Sequence, residues 1–99
     1  MRIISRKALR EFWAQPEHAD AEQPLKAWFR EASRAAWATP AEVKRAFRSA
    51  SIVGGSRIVF NIAGNKYRLV VKANYAYAIL YVRFVGTHAQ YDRIDVEKV

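Results

Sequence analysis

Hydrophobic positions in this chain follow two different periods. Up to Phe47 they recur mostly at helical spacing; from Arg57 onward apolar and polar residues alternate, as in strands with one face buried. Met1–Ile4, short and β-branched, predicts a first strand. Ser5 stands where a helix N-cap belongs, and Leu9, Phe12 and Trp13 make one stripe of a helix that runs to about Gln15, where Pro16 stops it. Residues 16–23, rich in charge and alanine, read as a connection carrying an exposed His18. Asp20 or Glu22 opens a second helix with Pro24 in its first turn. Leu25, Trp28, Phe29, Ala32, Ala35 and Ala36 form its buried stripe, and Trp37 closes it. Thr39-Pro40-Ala41-Glu42 is a capping box with proline at the first helical position. It predicts a third helix to about Phe47, burying Val43, Ala46 and Phe47.

Arg48–Ser56 reads as a flexible Gly- and Ser-bearing loop. Three strands are expected next, at Arg57–Ala63, Lys66–Asn74 and Tyr77–Val85. Gly64-Asn65 suits a two-residue hairpin turn, with glycine supplying positive φ. The second turn is placed at Tyr75-Ala76. These turns set Asn61 opposite Arg68, Arg57 opposite Lys72, and Arg68 opposite Arg83. One sheet face then carries Arg57, Asn61, Lys66, Arg68, Lys72, Tyr81 and Arg83. The other carries Ile58, Phe60, Ile62, Tyr67, Leu69, Val71, Leu80, Val82 and Phe84, packed on the helices. Beyond Gly86 a helical turn presents Thr87, His88, Tyr91 and Asp92, with His88 and Tyr91 on one side of it. The class is α+β in a single domain, residues 1–99, with two to three helices on one face of an antiparallel sheet.

Charge changes this picture most. The net charge is +8, and from Val43 to Tyr91 there is no Asp or Glu, while Lys44, Arg45, Arg48, Arg57, Lys66, Arg68, Lys72 and Arg83 lie in that interval. A polyanion fits such a face, because phosphate neutralisation releases counterions; an acidic partner protein would use the same charge, and a solvated face needs no partner. Arg68 opposite Arg83 repels unless an anion sits between them. His88 can move protons near neutrality, and cations favour the phenolate of Tyr91. The three tryptophans sit at helical spacings and are assigned to the core. No cysteine is present, so disulfides, thiolate metal sites and cysteine nucleophiles are excluded. Two distant histidines and few acids argue against a metal-dependent nuclease. No apolar run approaches the ~20 residues of a membrane span, and Arg6, Lys7 and Arg10 interrupt any signal-peptide core. A cytoplasmic protein without metal or cofactor is expected.

The N-terminal MRIISRKALREFW, the strand VFNIAGNKYRLVV and the segment YVRFVGTHAQYD, in a strand–helices–three-strand order, resemble the HigB family of RelE-like toxins. The resemblance spans nearly the whole chain. It implies a RelE-like fold with a short C-terminal helix, and the toxin of a type II toxin–antitoxin pair. Its activity would be that of a metal-independent endoribonuclease cleaving mRNA on the translating ribosome, by 2′-OH attack giving a 2′,3′-cyclic phosphate. Carried onto this sequence, Arg68 and Arg83 would stabilise charge on the scissile phosphate, and His88 and Tyr91 would transfer protons. Arg57, Asn61, Lys66, Lys72 and Tyr81 would bind RNA, and Asp92 would support its neighbours. The implied partner is a helix-turn-helix, HigA-like antitoxin, seated on the basic face or blocking it indirectly. The rival reading is a non-catalytic RNA- or ribosome-binding module using the same face.

Overall fold

Alternation along the strands decides where the core lies. The computed structural model describes residues 1–99 as β1 (Arg2–Ile4), α1 (Arg6–Trp13), a 3₁₀ segment (Pro16–Ala21), α2 (Glu22–Arg34), α3 (Pro40–Ala46), β2 (Ser51–Val53), β3 (Arg57–Ile62), β4 (Tyr67–Asn74), β5 (Ile79–Thr87) and α4 (His88–Tyr91). One five-stranded sheet runs in the order β1-β5-β4-β3-β2. β1 is parallel to β5, and every other pair is antiparallel. Ile58, Phe60 and Ile62 of β3 and Tyr67, Leu69, Val71 and Ala73 of β4 are buried on one face against the helices. No helix is long and apolar enough to cross a membrane.

Phe60 is the centre of the helix–sheet contact. Its ring meets Trp28 at 5.3 Å, Phe47 at 5.1 Å and Trp37 at 6.5 Å between centroids. Burying an aromatic side chain of this kind stabilises by roughly 2–3 kcal/mol. Helix α3 starts as its sequence dictates: Thr39 accepts from the Glu42 N–H, and the Glu42 carboxylate accepts from the Thr39 N–H at 2.9 Å and the Ala38 N–H at 2.7 Å. Those hydrogen bonds hold the Glu42 carboxyl below its ordinary range. At the far end of α2, the Met1 amino group donates to the carbonyls of Ala32 and Ser33. A positive group there satisfies acceptors that the helix itself leaves free.

The segment expected to be a connection is a 3₁₀ turn that locks the helices to the sheet. His18 is not exposed; only 9% of it reaches solvent. Its ring stacks on Phe12 at 4.1 Å and meets the edge of Tyr67 at 5.7 Å. Two residues on, the Asp20 carboxylate accepts from the buried Tyr67 hydroxyl and pairs with Lys66. The hydrogen bond from Lys66, then that from Tyr67, hold the Asp20 carboxyl below the ordinary range, while burial pushes the Tyr67 phenol up.

Other departures are smaller. Ser51–Val53, inside the expected loop, pairs with β3 as an edge strand. Its few residues among glycine and serine carry too short an alternation to register. Ala36 lies past the end of α2, and Ala36 and Ala46 are both exposed. The β3–β4 register is as read, with Arg57 opposite Lys72 and Asn61 opposite Arg68; Gly64 takes φ 67° in the turn.

The β4–β5 register is not. The connection is a four-residue loop, 75–78, whose last residue Ala78 takes the left-handed conformation at φ 55°, so Lys72 faces Tyr81. Beyond it, β5 carries a bulge where Val71 pairs with Val82 but Val70 pairs with Phe84. Arg83 is the extra residue. Arg68 therefore faces Gly86, not Arg83, and Phe84 turns away from the core to the outer face.

Two outcomes follow. Asp20→Asn removes a carboxylate whose folded-state value is depressed. The stability it contributes is full above the ordinary value of 3.8 and is lost as pH falls through the folded value. Urea unfolding at neutral pH will show the variant less stable than the parent, and the gap will close as pH falls below 3.8. Ala78→Gly relieves a left-handed alanine and will raise stability by about 1 kcal/mol in the same assay.

Candidate functional site

The outer face of the sheet is built in rows. Arg57, Lys72 and Tyr81 lie side by side across β3, β4 and β5; Val59, Val70 and Phe84 form the next row; Asn61, Arg68 and Gly86 the third. Polar rows thus flank an apolar one. Val59 and Val70 are buried although they stand outside the helix-side core. The C-terminal residues return to this face: Arg57 donates to the Val99 carbonyl at 2.6 and 3.2 Å and to the Gly55 carbonyl at 2.8 Å.

The bulge puts two successive side chains, Arg83 and Phe84, on the outer face. Arg83 is exposed, with its guanidinium over the Tyr81 ring at 5.7 Å. Lys72, Tyr81 and Arg83 line a concavity of about 640 Å³, together with Ser56, Asn74 and Tyr75. Burial raises the Tyr75 phenol. None of the cations lining this concavity is paired with a carboxylate. Ser56 and Tyr75 were missed from sequence because they belong to a loop edge and a turn; Asn74, the last residue of β4, continues the outward alternation of Arg68 and Lys72 and was legible there.

At the other end of the face, α4 is set by a second capping box. Thr87 accepts from the Gln90 N–H at 3.1 Å, and Gln90 Oε1 accepts from the Thr87 N–H at 2.9 Å. This helical turn holds Tyr91 with its ring 6.5 Å from Phe84 and 5.9 Å from the Arg68 guanidinium. Gly86 makes the fit possible: a Cβ there would come within 2.6 Å of both Phe84 and Gln90. Arg68 is only 9% exposed, and its guanidinium donates to the Asn65 carbonyl at 3.0 Å and to the Tyr67 carbonyl at 3.4 Å. His88 and Asp92 are exposed and face each other, Nδ1 to Oδ2, at 3.4 Å.

The residues singled out from sequence therefore divide. Lys72, Tyr81 and Arg83 gather in the concavity. Arg68, Tyr91, His88 and Asp92 gather around α4, with Asn61 beside Arg68. Arg83 lies three residues along β5 from the partner of Arg68, roughly 10 Å. Lys66 sits in the β3–β4 turn with its ammonium held by Asp20, which raises its pKa, and Arg57 is engaged by the C-terminal residues. No three His, Cys, Asp or Glu side chains come together in a way that would hold a metal ion. What the face offers instead is guanidinium and ammonium groups without carboxylate partners beside tyrosine rings.

No curated protein matches the chain by sequence. The family model for the HigB toxin, the RelE-like toxic component of a toxin–antitoxin system, matches residues 21–94, which include the whole sheet except β1 and all of α4. That segment holds every side chain placed on the outer face above. The chain belongs to the HigB toxin family and is a toxin component of a toxin–antitoxin system.

Proposed function

We propose that this toxin is an endoribonuclease that cleaves mRNA on the translating ribosome without a metal ion. The observation that carries the proposal is on the outer face, where exposed Arg83 and half-buried Lys72, neither paired with a carboxylate, line a concavity next to the α4 cluster of Arg68, His88 and Tyr91. In the reaction, the 2′-oxygen bonds to phosphorus while the bond to the 5′-oxygen breaks. One proton leaves the 2′-OH and one is delivered to the departing 5′-oxygen.

Negative charge that develops on the phosphoryl oxygens would meet Arg83 and Lys72, whose groups are free to contact it. Arg68 is held by carbonyls and by the Tyr91 ring, so its charge acts from a fixed position. Tyr91 and His88 are the groups at this end able to exchange protons, with Asp92 orienting the imidazole. Tyr81 and Asn61 would position the RNA. The family implies an antitoxin partner, and a HigA-like helix-turn-helix protein fits that role.

The test is controlled expression with mapping of mRNA 5′ ends, repeated for alanine variants at Arg68, Arg83, His88 and Tyr91. Growth arrest with new 5′-hydroxyl ends is expected. Arg83→Ala should lower cleavage by on the order of 100-fold, the effect of removing a donor to a developing oxyanion. Salt-sensitive RNA binding without cleaved product, ribosomes included, would instead support a non-catalytic binding module. Full toxicity in all four variants would remove the site.

A further inference from the structure

Residues 92–99, which follow α4, run back across the outer face. At one end Tyr91 lies beside Phe84 and Arg68; at the other the Val99 carbonyl accepts from Arg57 at 2.6 and 3.2 Å. Glu97 reaches the β2–β3 turn, where its carboxyl carbon stands 3.2 Å from the place a Cβ on Gly54 would take. Val70 and Val59 lie between these two ends, and they are 0% and 3% exposed. Ile94, Val96 and Val99 are half-buried, whereas Asp92, Arg93, Asp95, Glu97 and Lys98 are exposed. The apolar side of the segment is thus turned to the sheet, which accounts for two buried valines on a face that the helices do not cover.

The segment is held lightly. Its own hydrogen bonds are internal: the Asp95 carbonyl accepts from the N–H groups of Lys98 and Val99 at 3.0 and 3.1 Å, and Asp95 Oδ1 accepts from that of Glu97 at 3.2 Å. No backbone hydrogen bond joins residues 94–99 to a strand, and Arg57 is the one side chain of the sheet that bonds to them. A segment with so few attachments opens far more easily than the strands beneath it. Its position gives it an effect. It covers the apolar row that separates the concavity of Lys72 and Arg83 from the cluster of Arg68, His88 and Tyr91, and it occupies Arg57. It also brings Asp95 and Glu97, carboxylates that repel a polyanion, to a face whose strands carry none.

We propose that residues 94–99 are an autoinhibitory strap, which single-stranded RNA must lift in order to lie across the concavity and the α4 cluster together. Lifting frees Arg57 for a phosphate and uncovers Val59 and Val70. The apparent affinity for RNA is then the intrinsic affinity reduced by the fraction of molecules whose strap is lifted. This rests on RNA being the ligand of the outer face, as proposed above, and adds how that face is regulated.

The chain has no cysteine, so Gly54→Cys with Glu97→Cys introduces one pair that ties the strap to the β2–β3 turn when oxidised and frees it when reduced. The two forms have the same side-chain charges, so their difference isolates the tether. Binding is measured to a 2′-O-methyl RNA oligonucleotide, which has no 2′-OH to attack the phosphate. The oxidised form should bind at least about tenfold more weakly than the reduced one. In the opposite direction, Ile94→Ser with Val96→Ser loosens the strap without altering charge, and should bind at least about threefold more tightly than the parent. Equal affinities in the two redox forms, no binding by the reduced form at low salt, or a folded loosened variant that binds no better than the parent would each overturn the inference. If urea unfolding shows that the loosened variant does not fold, the redox pair decides alone. Cleavage of ribosome-bound mRNA by the reduced protein, followed separately, divides the two readings. A redox-dependent affinity without cleavage sinks the nuclease and leaves the strap, and cleavage with equal affinities does the reverse.

Discussion

Between Val82 and Phe84, strand β5 holds one residue more than β4 can pair, and most of the outer face depends on how that residue is accommodated. Without the bulge, Phe84 would enter the core and the side chains after it would all change face. With it, Leu80 and Val82 serve the helix side, while Arg83 and Phe84 both turn outward. Phe84 then gives Tyr91 a ring to pack near, and Gly86 falls opposite Arg68 with no side chain to obstruct either. The position of α4, and with it His88 and Asp92, is a consequence of that single insertion.

The charges are divided by a similar logic. On the helix side, Glu22 and Glu11 take Lys26 and Lys7 at one-turn spacing, and Asp20 takes Lys66. The last pair matters beyond its Coulomb energy, because the same carboxylate satisfies the buried Tyr67 hydroxyl. Exposed pairs of this type are weak alone; a buried phenol left without its acceptor is not. Asp20 thus joins the 3₁₀ turn to β4 and withdraws Lys66 from the outer face. Lys72 and Arg83 on that face have no carboxylate partner, so a phosphate there replaces only water.

How much of this was legible in the sequence depends on whether local chemistry or tertiary packing decided the outcome. The Thr39–Glu42 box is local and was read correctly, as was the Gly64 turn that fixes β3 against β4. The next turn was misplaced because its left-handed residue is Ala78, where glycine or asparagine would have announced it. Val82-Arg83-Phe84 looks like unbroken alternation, and nothing in those residue types marks a bulge; the misplaced Phe84 comes from it, and the misread pair Arg68–Arg83 comes from the longer turn and the bulge together. His18 lies in a charged stretch, and only the meeting of Phe12 with Tyr67 makes a buried place for an imidazole. The shared outer face of Arg57, Asn61, Arg68, Lys72 and Tyr81 was read as the structure has it. Their distances from one another were not, since those depend on register directly.

That distinction bears on what each arginine contributes. If Arg68 and Arg83 faced each other, as the alternation suggested, both would hold one anion and would be interchangeable in kind. Set apart by the four-residue loop and the bulge, they are in different conditions. Arg68 is buried, and two carbonyls and an aromatic face hold it before any ligand arrives, so moving it to follow a phosphate would break contacts already made. Arg83 is exposed and touches only the Tyr81 ring, so it can close on a strand that enters the concavity. A cation fixed beside α4 sets the local field before any ligand arrives, whereas an exposed one has no such fixed place. The outer face therefore presents one cation that the fold holds in place and another that the fold leaves exposed.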